Sequence, residues 1–167
     1  GRKYRSLMPT NLYGQNDNFH PENSHVIPAL MDRFHKANEE NKSIVEIWGS
    51  GKPMREFLHV DDLADACVFI ISQQEDTIDD NIHPMQSHIN VGSGIDYSIA
   101  EVAELISEIV GYDGEVVFDS SKPDGTPRKL LDSTLLNRLG WSSAIDLENG
   151  LSDTYDWYCS NIHSLRK

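Results

Sequence analysis

Long apolar runs are missing from this sequence, because no stretch approaches the roughly 18 consecutive apolar residues that a membrane-spanning helix needs. Gly1–Arg5 lacks the apolar core of a secretory signal peptide and has no initiating methionine, so we expect an excised piece of a longer protein. Cysteine is also scarce: Cys67 and Cys159 lie far apart, without metal-ligand spacing or a disulfide framework. Together these absences predict a cytoplasmic protein with no membrane partner, in which Cys67 is a buried apolar residue.

Basic residues are few: 14 Lys and Arg stand against 27 Asp and Glu, which gives a formal net charge of −13. This balance argues against a nucleic-acid partner and against anionic membranes, because both need a basic surface. It still permits a small anion held by a few placed cations. The candidates are Arg33, Arg55, Arg128 and Lys129, and arginine in particular suits a diphosphate. Spacing alone equally permits separate surface salt bridges.

Strand-like and helix-like segments alternate along the chain, and this order predicts the α/β class. The strands are too short and too few for a complete doubly wound sheet. Pro9–Gly14 is predicted to be a turn, and the polar, acidic stretch 73–87 a surface insertion. Predicted strands cover 4–8, 44–48, 55–60, 88–92 and 116–118, and predicted helices cover 25–36, 63–72, 99–110, 134–139 and 147–162.

Residues that commonly cap helices stand before three of these helical segments. Asn23 or Ser24 is predicted to cap the first long helix, Asp61 the second and Ser98 the third. Gly111 is predicted to end the third helix, because glycine readily adopts the left-handed conformation of a helix terminus.

His25 stands at the start of the first long helix, before the apolar positions of its buried face. A histidine there is commonly a polar surface or capping residue. The functional alternative is a general acid, because histidine holds and releases a proton near neutral pH. Spacing does not separate the two. Arg33 follows eight residues later, two helical turns on and roughly on the same side.

Two further segments contain residues that occur in ligand sites. Trp48–Gly51 ends a strand and offers a flat indole to a base or sugar, although a tryptophan there is more often part of the core. Its two glycines are too sparse for a phosphate-binding loop, and the full glycine fingerprints for dinucleotides are absent. In His59–Asp62 the acidic pair fits a helix start better than a metal site, so we expect no metal.

Seven runs carry a resemblance to a known family: Met8–Gly14, Asn18–Pro21, Asn23–Ala29, Val45–Gly51, Met54–Asp62, Ile89–Gly92 and Lys122–Lys129. They resemble the GDP-L-fucose synthase family of the extended short-chain dehydrogenase/reductase superfamily. These enzymes are NADPH-dependent GDP-4-keto-6-deoxymannose 3,5-epimerase/4-reductases. The similarity extends from Tyr4 to about Tyr158, and Asn18–Pro21, Asn23–Ala29 and Lys122–Lys129 are the most specific runs.

The resemblance implies a two-part enzyme whose N-terminal Rossmann half carries the glycine-rich NADP loop, a catalytic serine, a Tyr-x-x-x-Lys pair and a cysteine used in epimerisation. No tyrosine here is followed four residues later by lysine. The chain is therefore expected to be the C-terminal, substrate-binding half of a Rossmann-fold epimerase/reductase, with most of the Rossmann core absent. Residues 1–14 would end the nucleotide-binding domain, and residues 15–167 would form the substrate-binding domain. The intact protein is expected to be a homodimer.

The resemblance also assigns roles by position. Pro9, Thr10, Asn11 and Leu12 would line the nicotinamide side of the NADP(H) site, and His25 would border that site and act as the acid that protonates carbon. The GDP-sugar would be bound by Arg33, Arg55 and Lys129, mainly through its diphosphate, with Trp48 and Asp124 in the same pocket.

Two alternatives stay open. One is another nucleotide-sugar epimerase, reductase or dehydratase of the same superfamily. The other is a stand-alone nucleotide-sugar-binding module without catalysis. Because the tyrosine and the cofactor loop are expected in the other half, the isolated chain is predicted to be inactive.

Overall fold

The computed structural model describes residues 4–20, 23–74, 77–78, 81–82 and 88–165. The strands are β1 (Leu7–Pro9), β2 (Asn11–Tyr13), β3 (Ile44–Trp48), β4 (Met54–His59), β5 (Ile89–Val91), β6 (Asp96–Ser98), β7 (Glu115–Asp119) and β8 (Arg128–Lys129). The helices are α1 (Val26–Glu39), α2 (Val60–Ser72), α3 (Ile99–Val110), α4 (Thr134–Arg138) and α5 (Leu147–Asn161), followed by a short 3-10 helix at Ile162–Ser164.

The strands form three small sheets in which parallel pairs predominate. β1 pairs with β5, and β3 pairs with β7, both in parallel. The third sheet is built around β4, which is parallel to β2 and β8 and antiparallel to β6. The predicted α/β class with short strands is therefore confirmed.

The predicted turn at Pro9–Gly14 is wrong, because most of that segment forms strand. At Thr10 the chain leaves β5 and joins β4, and the Thr10 N–H still donates to the Val91 carbonyl across that junction. Tyr13 then inserts its side chain into the core, which fixes β2 in place. The chain turns only afterwards, at Gly14, where φ is +143°.

The larger core lies between β3–β7 and the long helices α1, α3 and α5. The predicted apolar face of α1 is confirmed at Ile27, Leu30, Met31 and Phe34, although Val26 at its start is exposed. Burying each of these side chains contributes about 2 kcal/mol. A second cluster packs α2 and α4 against β1–β5 and consists of Leu58, Ala66, Ile70, Ile78, Ile89, Val91, Leu136 and Trp141.

Two corrections concern residues predicted as surface or core. Ile78, within the predicted surface insertion, is buried in the second cluster, while 75–76, 79–80 and 83–87 of that stretch lie outside the described residues. Cys67 is half-buried rather than buried, because it lies on the side of α2 next to the exposed Val68 and Ile71. None of the described helices is long and apolar enough to cross a bilayer.

The predicted caps are correct for α3 and wrong for α1 and α2. Ser98 and Glu101 form a reciprocal capping box, and Gly111 ends α3 with φ of +73°. Helix α1 begins after His25, whose extended backbone takes the cap position without a capping side chain. Helix α2 begins after His59, whose Nδ1 accepts the Asp61 N–H, because the chain turns directly from β4 into the helix.

Candidate functional site

A cleft of about 480 Å³ lies beside β2. Its walls come from the strand itself, from the turn that follows it and from His25 at the start of α1. Four of the five residues predicted on the cofactor side therefore lie in one cleft: Thr10, Asn11, Leu12 and His25. The fifth, Pro9, lines an adjoining cavity of about 400 Å³, which shares Thr10 and Asn11 with the cleft and also includes Lys129.

The strand side of this cleft is fixed by Glu56, a residue that the sequence analysis missed. The Thr10 hydroxyl and the Asn11 side-chain amide both donate to the Glu56 carbonyl, at 3.1 and 2.8 Å. The Glu56 carboxylate is fully buried and accepts the N–H groups of Gly94 and Leu131, at 2.7 and 3.0 Å. The signal available in the sequence was an acidic residue directly before the apolar pair Phe57 and Leu58, inside a predicted strand.

A missing Cβ provides the space for that carboxylate. A Cβ on Gly92 would lie 2.3 Å from Glu56 Oε1, which is far inside contact distance. Glycine at this position therefore lets β4 and the segment after β5 approach each other closely.

His25 projects an exposed side chain at the cleft wall, and its ring does not cap α1. On the same wall lies Asp17, whose carboxylate accepts the Asn18 N–H at 2.7 Å. Burial raises the pKa of the Asp17 carboxyl, while the Asn18 hydrogen bond and the nearby His25 act to lower that pKa. A carboxylate thus stands close enough to His25 for their charges to interact.

The predicted diphosphate-binding arginines differ from Arg128 in what they contact. Arg33 donates to the Glu46 carbonyl and Arg55 to the Met54 carbonyl, each at 2.7 Å. Neither guanidinium is paired with a carboxylate within the described part of the chain, so no neighbouring anion offsets the charge of either one. Arg128 instead makes two bonds to Asp96, at 2.5 and 3.0 Å, and these lower the Asp96 pKa.

Strand pairing brings together two of the three cations that the family resemblance assigns to the GDP-sugar. In the β4–β8 register Arg55 lies opposite Lys129. Lys129 in turn lines the cavity that contains Pro9, Thr10 and Asn11. Arg33 lies elsewhere, against β3, and the cavities found among the described residues do not bring it together with His25.

Trp48 and Asp124 are joined through the turn after β3. Asp124 accepts the Ser50 N–H at 2.5 Å and the Ser50 hydroxyl at 2.7 Å, and these bonds lower the Asp124 pKa. The Trp48 side chain is 67% exposed, and the Lys122 ammonium lies 5.4 Å from its ring centroid. Trp48 is thus an exposed indole at the edge of the loop that Asp124 anchors, and it is not part of the core.

The residues of His59–Asp62 take structural roles. Asp62 accepts the N–H groups of Ala144 and Ile145, at 3.0 and 3.1 Å, and so attaches α2 to the segment before α5. His59 is buried, with its ring edge-on to Tyr13 at 5.4 Å between centroids. Within the described residues, no group of three or more His, Cys, Asp or Glu side chains is arranged to hold a metal ion.

A family model described as the NAD dependent epimerase/dehydratase family matches residues 1–92, more than half of the sequence. The chain belongs to this family. The expected resemblance to GDP-L-fucose synthases is confirmed by a 60% identity over 166 residues with the GDP-L-fucose synthase of Escherichia coli (strain K12). That match covers 99% of this chain and 52% of the relative.

Other epimerase/dehydratase-family relatives are also similar over nearly the whole chain. The GDP-L-colitose synthase of Yersinia pseudotuberculosis is 45% identical, over 93% of this chain and 48% of the relative. The crystal structure of a GDP-L-fucose synthetase from Naegleria fowleri bound to NADP superposes with a TM-score of 0.85 at 31% identity. It matches 98% of this chain and 49% of that chain. The chain thus spans about half the length of these relatives.

Proposed function

We propose that this chain is the substrate-binding half of an NADPH-dependent GDP-4-keto-6-deoxy-D-mannose 3,5-epimerase/4-reductase that makes GDP-L-fucose. The observation that carries the proposal is the pairing of Arg55 with Lys129, because Lys129 lines the cavity that shares Thr10 and Asn11 with the cleft of His25. Two uncompensated cations in a chain of net charge −13 suit a diphosphate. The relatives named as GDP-sugar enzymes supply the nucleotide and the sugar class.

The chemistry of the cleft fits the nicotinamide end of NADP(H). Among the described residues no lysine or arginine lines it, and it contains the Asp17 carboxylate, so it does not suit the cofactor's phosphates. Leu12 offers an apolar surface for a nicotinamide ring. Thr10, Asn11 and Leu12, with Pro9 next to them, would hold that ring, and the bound cofactor would supply the hydride that reduces C4. The boundary near residue 14 between the nucleotide-binding and substrate-binding domains is part of the same proposal.

In this proposal His25 acts during epimerisation. A base from the other half removes a proton from the carbon next to the 4-keto group, and His25 donates a proton to the opposite face. Arg55 and Lys129 hold the diphosphate, Arg33 contributes to GDP-sugar binding from its separate position against β3, and Trp48 and Asp124 border the nucleotide-sugar pocket. We infer that the intact protein is a cytoplasmic homodimer, and that the chain alone does not oxidise NADPH with a keto-sugar substrate. Sustained NADPH oxidation by the isolated chain would contradict that last inference.

Calorimetric titration of the chain with GDP-L-fucose, with UDP-glucose as the comparison ligand, tests substrate recognition. We expect selective binding of the GDP-sugar, weakened roughly tenfold or more in Arg55→Ala, because a charge-assisted hydrogen bond contributes about 1.5–3 kcal/mol. Arg138→Ala removes the same charge from the end of α4 and should leave the affinity unchanged.

Equal binding of GDP-L-fucose and UDP-glucose would contradict the assignment of guanine as the nucleobase of the substrate. If Arg55→Ala and Arg138→Ala weaken binding of the GDP-sugar to the same extent, the assignment of Arg55 to the diphosphate site is contradicted.

The second candidate function is the synthesis of a related GDP-sugar, which the similarity to the GDP-L-colitose synthase favours. Product analysis of the full-length protein, supplied with GDP-4-keto-6-deoxymannose or with its 3-deoxy counterpart, separates the two. A preference for the 3-deoxy sugar would replace the first proposal. Nucleotide-sugar binding without turnover by the full-length protein would instead favour a binding module.

A further inference from the structure

The loop between β2 and α1 brings Asp17 and His25 to the same wall of the cleft. The Asp17 N–H donates to the Gly14 carbonyl at 3.4 Å, which continues the turn that follows β2. The Asn18 side-chain amide donates to the Asn23 carbonyl at 3.0 Å and so closes the loop on itself. Residues eight positions apart in sequence therefore border one cavity.

The Asp17 carboxylate has one satisfied oxygen and one unsatisfied oxygen. Oδ1 accepts the Asn18 N–H, whereas Oδ2 is buried and has no hydrogen-bond partner within the part of the chain that the structure describes. A buried carboxylate oxygen without a donor is costly. Asp17 borders both the cleft and a second cavity beside Phe19 and Trp157, so a donor can come from either side.

Among the described side chains that line the cleft, Gln15 and Asn16 offer neutral amide donors and His25 offers a cationic one, and a cationic donor stabilises a buried carboxylate most. The Thr10 hydroxyl and the Asn11 amide already donate to the Glu56 carbonyl. The Tyr13 hydroxyl points away, towards Gly150 on α5, and burial raises its pKa so that it stays neutral. The charged side chains that line this cleft are then Asp17 and, when protonated, His25.

We propose that Asp17 is a positioning residue for His25: the exposed imidazole turns towards Asp17, whose Oδ2 then accepts a hydrogen bond from one ring nitrogen and aims the other nitrogen into the cleft. This inference rests on the role proposed above for His25. In the step concerned, the proton on the inner nitrogen passes to the substrate carbon and forms the new C–H bond. The N–H that faces Asp17 stays in place, so Asp17 keeps its negative charge and His25 becomes neutral.

The pairing can be measured in the chain alone, without substrate. A carbon-13 NMR titration follows the Asp17 carboxyl in the wild type and in His25→Gln. Because a neighbouring cation favours the ionised carboxyl, its removal should raise the pKa of Asp17. His163→Gln, in the short 3-10 helix after α5, is the matched control and should leave this pKa unchanged. An unchanged pKa of Asp17 in His25→Gln would overturn the proposal.

The catalytic consequence is measured in the full-length protein, by deuterium uptake from heavy water at the substrate carbons next to the keto group. We expect Asp17→Asn to lower the maximal uptake rate by about tenfold to a hundredfold with little change in KM, and Asp17→Glu to restore part of it. If His25→Gln retains normal uptake, the proposed role of His25 fails. If His25→Gln loses uptake and Asp17→Asn does not, the positioning role of Asp17 fails while the proposed function stands.

Discussion

Two regions that border the candidate site, Thr10–Leu12 and the loop 121–127, are attached to the protein in different ways. Thr10–Leu12 is held through β2 pairing and through side-chain bonds to Glu56, whose carboxylate is fully buried. The loop is exposed along its whole length and is tied back mainly by Asp124, through two bonds to Ser50. The comparison predicts that the proposed cofactor side is already formed, whereas the proposed substrate side adjusts to its ligand.

Removing the buried Glu56 carboxylate should have the largest effect on the stability of the protein. Glu56→Ala leaves the N–H groups of Gly94 and Leu131 without an acceptor, and each such group costs about 1–3 kcal/mol. We expect the free energy of unfolding to fall by about 3 kcal/mol in urea titrations followed by circular dichroism. Glu46→Ala, an exposed glutamate on β3, should change it by less than about 0.5 kcal/mol. Similar losses in the two variants would remove the distinction between the regions.

Releasing the exposed anchor should have a local effect. In Asp124→Ala we expect faster amide hydrogen exchange at the Ser50 amide and through 121–127, with the exchange of α3 unchanged, because the loop buries little surface. Mass spectrometry of deuterated peptides measures both regions, and Asp113→Ala provides an exposed aspartate as the control. Exchange that rises throughout the chain would mean that Asp124 supports the whole fold.

Acid should produce the smallest effect, at the same loop. The Ser50 bonds hold the Asp124 pKa below its ordinary value of 3.8, so the carboxylate's stabilisation is present above that value. It is lost as the pH falls through the lower, folded-state pKa. Fluorine NMR of 5-fluorotryptophan at Trp48, which carries Lys122 from the same loop over its ring, follows the change. Ser50→Ala removes the hydroxyl and keeps the backbone N–H, so we expect the midpoint to move upward only in part, and an identical midpoint would rule out the Ser50 hydroxyl as a contributor.

Much of the fold could be predicted from local pattern. Apolar spacing identified the buried face of α1, and Ser98 with Gly111 gave the limits of α3, because those signals lie within one element. β1 overlaps the predicted strand 4–8, whereas β2 could not be predicted this way. It has only three residues, and it is stabilised by β4, which lies far away in sequence.

The site was predictable as a set of residues and less so as an arrangement. Family resemblance singled out His25, Arg55 and Lys129, and their proposed roles stay predictions. That Arg128 is paired with Asp96 depends on the β4–β6 and β4–β8 registers, which composition and spacing do not reveal. Asp17 has no sequence signal, since an aspartate in a polar loop is ordinary until the fold buries one of its oxygens.

The position of β4 has a consequence for how the sequence can change in length. Its first residues bond to β6 and β8 and its last residues to β2, so six positions set the spacing of both sides of the site. One residue inserted within β4 would turn Arg55 to the opposite face and separate Lys129 from it. The same insertion between Gly125 and Pro127 would only lengthen an exposed loop. Variation in length among functional versions of this protein should therefore occur in the loop and be absent from the strand.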